Sequence, residues 1–199
     1  GSGSQVNPRC ADRAQKERFE REAKVLSMLN HPGAVSVVDY GIEPAPYIVM
    51  EYVQGETLHE MLEKGRMTRD QSADFFLQLA EVLEACHEKG LVHRDIKPAN
   101  IMLVQLADRS VLKLLDFGLA TADVTTTLTE EGRTMGTPSY MSPEQCVFGG
   151  VAQPPSDIYS AGCVLYECFT GKKAVDGADP QVCFYQHVNV YPPRFATSR

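Results

Sequence analysis

The chain has no apolar run long enough to span a bilayer and no signal-peptide pattern at its start. Nor does it carry an excess of basic charge: 19 Lys and Arg stand against 26 Asp and Glu, a net charge of −7. That balance argues against a nucleic-acid or membrane-surface binder, since both need a basic face. It does not bear on a nucleotide, which is held by local charge and a metal. The cysteines, at 10, 86, 146, 163, 168 and 183, form no C-x-x-C, and no His pair sits at zinc spacing. They read as reduced thiols, several of them in the core, and so point to the cytoplasm. Internal repeats are lacking as well.

What is present suits one domain. A chain of 199 residues can bury a real core but is short for two. The opening Gly1-Ser2-Gly3-Ser4 reads as a linker or cloning remnant. A G-x-G-x-x-G phosphate loop would need a strand on each side, and none fits there.

Periodicity then lays out the elements. A helix is expected from about Asp12, its cap, to Leu29, with Phe19, Ala23, Leu26 and Leu29 on one apolar face. Short β segments follow at Val35 to Tyr40 and Tyr47 to Tyr52. Thr57 to Lys64 reads as a short helix ending at Gly65. Thr68 opens a longer one with Gln71 at the capping-box position and Phe75, Leu79, Val82, Leu83 and Cys86 buried. Two apolar strands are expected around Ile101–Val104 and Val111–Leu115. The Thr-rich, aperiodic stretch from Thr121 to Thr137 reads as a long exposed loop. Asp157 to Thr170 is a strongly apolar helix stopped by Gly171, and Asp179-Pro180 begins another.

The chemistry lies in three segments. His93-Arg94-Asp95-Ile96-Lys97-Pro98-Ala99-Asn100 comes first. Asp116-Phe117-Gly118 follows, its Asp sixteen residues after Asn100, and Ser142-Pro143-Glu144 comes later. Phosphoryl transfer asks a protein mainly for positioning and charge neutralisation. A carboxylate such as Asp95 can orient a hydroxyl and take its proton. A nearby Lys97 can neutralise the phosphate in flight. An amide oxygen and a carboxylate, Asn100 and Asp116, can hold Mg²⁺ against a triphosphate, because Mg²⁺ prefers a few hard oxygens and shares the rest with phosphate. Each residue alone reads as loop filler; the ordered set does not.

That set resembles the signature of eukaryotic-like Ser/Thr protein kinases. The likeness runs from about Ala11 to Phe195, and Ser142-Pro143-Glu144-Gln145 is similar to bacterial members most of all. It implies an α+β, protein kinase-like two-lobe fold with a reduced N-lobe, its first three strands absent, and a mainly α-helical C-lobe. By domain, residues 1–10 would be a tag or linker remnant. Residues 11–53 would be a partial N-lobe with its αC helix and hinge strands, and 54–199 a C-terminally truncated C-lobe.

The resemblance further implies a cofactor pair, ATP and Mg²⁺, and a protein substrate phosphorylated on Ser or Thr. Met50, Glu51, Val53 and Met102 would surround the adenine, with Met50 as gatekeeper. Glu22 resembles the αC Glu that pairs with a strand Lys. The only Lys before it, Lys16, lies on the same helix, and no Gly-rich loop is present. Impaired activity of the fragment follows as an expectation, and self-association through an uncovered sheet edge follows as another. Arg94 would meet a phosphate on the activation loop, with Thr129 the first candidate among Thr125, Thr126, Thr127, Thr129 and Thr134. Thr137 resembles the Thr that ties the substrate pocket to Asp95 and Lys97. Leu26, His93 and Phe117 resemble members of the family's regulatory column. Asp157 resembles the buried Asp that holds the catalytic-loop backbone. Glu144 resembles the Glu whose family partner, an Arg, would lie beyond Arg199. The rival readings are a catalytically inactive kinase-like scaffold and an aminoglycoside-phosphotransferase-like enzyme. The latter class usually lacks Asp-Phe-Gly.

Overall fold

A computed structural model describes residues 8–107, 109–117, 138–147 and 149–193, with side chains from Lys16 onward. Helix α1 spans Pro8–Ser27. The expected start at Asp12 is thus corrected by four residues. Pro8 suits a first helical position, because proline has no N–H to leave unpaired and its φ is already helical. The apolar face is as its spacing predicts: Ala23, Leu26 and Leu29 are buried, with Phe19 packed beside them.

Strands β1 (Val37–Gly41) and β2 (Tyr47–Met50) pair antiparallel, with an irregularity between Val37 and Asp39. A second sheet has the order β3-β4-β5, made of Glu56–Thr57, Ile101–Gln105 and Ser110–Leu114. β3 is too short to show alternation, and periodicity does not reveal it. Gly55 just before it explains the close approach. A Cβ there would lie 2.7 Å from the Leu103 carbonyl oxygen, so only glycine lets the two backbones meet. The Gly33–Val35 segment joins β5: Leu114 N–H donates to Gly33 O at 2.7 Å, and Val35 N–H to Leu114 O at 3.2 Å.

Helices make up the rest. α2 (Leu58–Lys64) is opened by a Thr57/Glu60 capping box, and α3 (Arg69–Glu88) by Thr68/Gln71. The predicted face of α3 is buried throughout: Phe75, Leu79, Val82, Leu83 and Cys86. α4 runs Pro154–Thr170. It begins before the expected Asp157, because Pro154 and Pro155 are well placed in a first turn. Gly171, at φ 70°, takes the left-handed position that ends it. α5 (Pro180–Asn189) is capped by Asp179, whose carboxylate accepts from Val182 N at 3.0 Å. One core gathers Leu26, Leu79, Leu83, Ile101, Leu114 and Val164 from α1, α3, β4, β5 and α4. Among the described residues, no helix is long and apolar enough to cross a membrane.

Candidate active site

Residues 91–97 run between α3 and β4 without regular structure, and polar anchors fix their path. The Asp157 side chain, 1% exposed on α4, is the first anchor. Its Oδ2 accepts from His93 N at 2.9 Å and its Oδ1 from Arg94 N at 2.8 Å. His87 Nε2 lies 2.8 Å from the same Oδ2. A buried carboxylate is tolerated only where donors surround it, and these supply that shell. The expected buried position of Asp157 is observed, whereas the His87 contact had no sequence signal.

His93 is fully buried. Its Nε2–H donates to Leu115 O at 2.7 Å, and Nδ1 accepts from Asp95 N at 3.3 Å. These partners require the neutral tautomer, and burial holds its pKa below the ordinary value. Its ring packs on Phe117 with centroids 4.7 Å apart, so two of the expected column residues touch.

Arg94 has φ 70° and Asp116 φ 48°, both unusual for residues with a side chain. Such strain persists only where the surroundings over-determine it, and it gathers at functional sites. Asp95 follows directly. Its Oδ2 accepts from Lys97 Nζ at 2.6 Å and from Asn100 Nδ2 at 2.9 Å. Asn100 Nδ2 also donates to Asp95 O at 2.8 Å. Both amide hydrogens are thereby used, which turns the Asn100 side-chain oxygen into an available hard ligand. The backbone carbonyl of Asn100 accepts from Leu115 N at 2.8 Å, which sets Asp116 beside it at the end of β5. Asp116 is exposed. Among the described residues, no three His, Cys, Asp or Glu side chains converge on a metal position. An amide oxygen and one carboxylate are a donor set that suits Mg²⁺ shared with phosphate oxygens rather than a protein-only cage.

Glu22 of α1 lies against Arg94 in a bidentate pair, with Nη1 to Oε2 at 3.0 Å and Nη2 to Oε1 at 3.1 Å. Side-chain exposures of 18% and 15% make this more than a surface contact. Lys16 reaches Glu43 at 3.5 Å.

A cavity of about 660 Å³ opens beside the segment after β2, lined by Glu51, Val53, Gly55, Met61, Leu103 and Lys113 among others. Of the residues expected around a nucleotide base, Glu51 and Val53 line it. Met50 and Met102 are half-buried and not in its wall. Glu51 accepts from Lys113 Nζ at 2.7 Å and from Ser36 N at 2.9 Å. The Lys113 bond, then the Ser36 N–H, holds its carboxyl below the usual value. No periodicity or motif singled out Lys113.

Glu144 accepts a hydrogen bond from the Ser156 hydroxyl, so it has a partner within the chain. Burial pushes its carboxyl up, and the bonds from Ser156, its own backbone and Ser142 outweigh that and leave it low. Gly118, Thr129 and Thr137 lie outside the described residues.

The sequence profile of the protein kinase domain matches residues 5–192. Over 185 residues the chain is 42% identical to the probable serine/threonine-protein kinase PknB of Corynebacterium glutamicum, covering 89% of this chain and 28% of that protein. It is 39% identical over 187 residues to the serine/threonine-protein kinase pkn2 of Myxococcus xanthus, covering 92% and 22% respectively. The chain therefore spans about a quarter of the length of these curated relatives. Among solved structures it is similar to the kinase domain of Mycobacterium tuberculosis PknI. That likeness has a TM-score of 0.66 and 26% identity, and covers 86% of this chain and 64% of that one. The chain belongs to the protein kinase domain family, and its fold is that family's, with few strands and a mainly helical remainder.

Proposed function

We propose that the chain transfers the γ-phosphate of Mg·ATP to Ser or Thr of a protein, a reading that proceeds from its membership of the protein kinase domain family. The observation that carries it is the Asp95 cluster, in which Lys97 and Asn100 both bond one carboxylate oxygen. Among the described residues the other oxygen, Oδ1, receives no hydrogen bond. It is open to orient the acceptor hydroxyl and take its proton. Lys97 stands where it can neutralise the transferring phosphate, and the Asn100 side-chain oxygen and Asp116 would hold Mg²⁺. The bound nucleotide supplies the phosphoryl group, and the protein supplies alignment and charge. The cavity at Glu51 and Val53 is the candidate seat of the base. The described cysteines are free thiols, which fits a reducing compartment such as the cytoplasm.

A second reading, a kinase-like scaffold without turnover, is favoured by one observation. Both carboxylate oxygens of Glu22 are engaged by Arg94, so among the described residues Glu22 pairs with the catalytic-loop Arg rather than with a Lys. Intact-mass measurement separates the two. The chain is incubated with Mg·ATP and a Ser/Thr-containing acceptor protein, beside Asp95→Asn. Phosphate on the chain or acceptor with wild type but not with Asp95→Asn is the expected result. No phosphate in either sample would overturn the enzymatic reading. Peptide mapping of any phosphate added to the chain tests Thr129.

A further inference from the structure

We propose that Gln145 is a positioning residue for the catalytic loop, its side-chain amide holding Arg94 in the left-handed backbone conformation that presents Asp95. The inference rests on the reaction proposed above. Arg94 is the strained link: φ 70° is a left-handed conformation that a side-chain-bearing residue rarely adopts. Something must hold the peptide groups on either side of it. The N–H side is held by Asp157 Oδ1 at 2.8 Å. The carbonyl side is held by Gln145, whose Nε2 donates to Arg94 O at 2.8 Å across 51 residues of chain.

The orientation of this amide is fixed by its partners. Gln145 Oε1 accepts from Ser142 N at 3.1 Å and from the Ser142 hydroxyl at 3.0 Å. A backbone N–H can only donate and a carbonyl can only accept, so a flipped amide would face two mismatches. The short 3₁₀ turn Pro143–Cys146 thus presents one side chain with two duties. Its oxygen closes the turn's own capping box, and its nitrogen reaches the catalytic loop. Ser142 is fully buried, so the turn that aims the amide is itself fixed. Periodicity gives no hint of this, since Gln145 is one polar residue in a short irregular segment.

The two duties can be separated by substitution. Gln145→Glu keeps an oxygen for Ser142 but has no hydrogen for Arg94 O, and sets oxygen against oxygen. Gln145→Met keeps the length and loses all three bonds. A residue that only caps its turn would show damage in Gln145→Met and little in Gln145→Glu. A positioning residue shows damage at the catalytic loop in both.

The experiment is amide hydrogen exchange on wild type and both variants, with melting temperature and steady-state kinetics alongside. In both variants, exchange at His93, Arg94 and Asp95 is expected to rise roughly tenfold, with α3 unchanged. In Gln145→Glu, kcat should fall roughly tenfold at unchanged nucleotide KM, with little change in melting temperature. Wild-type exchange at these amides in Gln145→Glu would overturn the proposal. So would exchange that rises in Gln145→Met alone. If Gln145→Glu does not fold, exchange in Gln145→Met decides: wild-type protection at His93–Asp95 refutes the role, and a rise there beyond that of the Ser142 turn, with α3 unchanged, supports it. Wild-type protein that transfers no phosphate would sink the proposed reaction, while the exchange comparison would still decide the role of Gln145.

Discussion

Asp157→Asn should destabilise the protein severely although it changes one atom. The carboxylate accepts from His93 N, Arg94 N and His87 Nε2, all within 2.9 Å. An amide has one oxygen for these three donors. Oδ2 serves two of them and Oδ1 one, so the variant will keep its oxygen at the δ2 position and turn its NH₂ toward Arg94 N–H. That contact sets donor against donor in a place that water does not reach. The two surviving bonds also lose their charge assistance. A hydrogen bond to a charged group contributes about 1.5–3 kcal/mol, and breaking a buried charged cluster costs about 3–5 kcal/mol. For a domain of this size, each kcal/mol moves the melting temperature by about 2–4 °C. A drop of about 6–20 °C at pH 7.5 is therefore expected in differential scanning calorimetry. A drop below about 2 °C would refute the reasoning, because it would mean that the catalytic-loop backbone does not depend on this carboxylate.

Other outcomes follow from burial and close approach. His93 and His187 are both buried and both held below their ordinary pKa of 6.5 by desolvation. The unfolded chain therefore binds more protons than the native one below that value. Stability should be steady above about pH 6.5 and fall as the pH drops, by up to ~1.4 kcal/mol per unit for each histidine. Urea melts at several pH values would measure it, and His187→Gln, which can still donate to Pro138 O, should flatten the slope. Gly150→Ala should be poorly tolerated, since a Cβ there would lie 1.7 Å from the Glu144 carbonyl oxygen. A loss of at least about 1–3 kcal/mol in chemical denaturation is expected, and a neutral result would show that the 144–150 turn relaxes freely.

Most of the helical framework is legible in the sequence because its signals are local. Thr57 with Glu60, and Thr68 with Gln71, announce helix starts three residues apart, and both capping boxes form. The face Phe75–Leu79–Val82–Leu83–Cys86 is buried throughout. The helix starts that differ from expectation lie at prolines, while β1 begins two residues later than Val35 and β2 stops at Met50 rather than Tyr52. Pro8 and Pro154 begin helices earlier than the first strong apolar or capping signal. Strand β3 leaves no periodic signal for another reason. A two-residue strand exists only because β4 pairs with it, and its one local trace is the glycine at its entrance.

The site divides along the same line. Asp95, Lys97 and Asn100 are close in sequence, and their spacing leads almost directly to their contacts. The anchors that hold this loop are long-range; only Asp157 is expected, through the family resemblance, and the Gln145 and Glu22 contacts with Arg94 have no comparable signal. Arg94 alone reaches Asp157 at a separation of 63 residues, Gln145 at 51 and Glu22 at 72. With 26 acidic residues in the chain, composition cannot say which carboxylate an arginine will meet. Only the packing of α1 and α4 on the core selects Glu22 and Asp157. The left-handed conformation of Arg94 has no local support that would form it in a peptide. It is held by partners that only the folded chain brings together, so the shape of the catalytic loop depends on the packing of the rest of the fold.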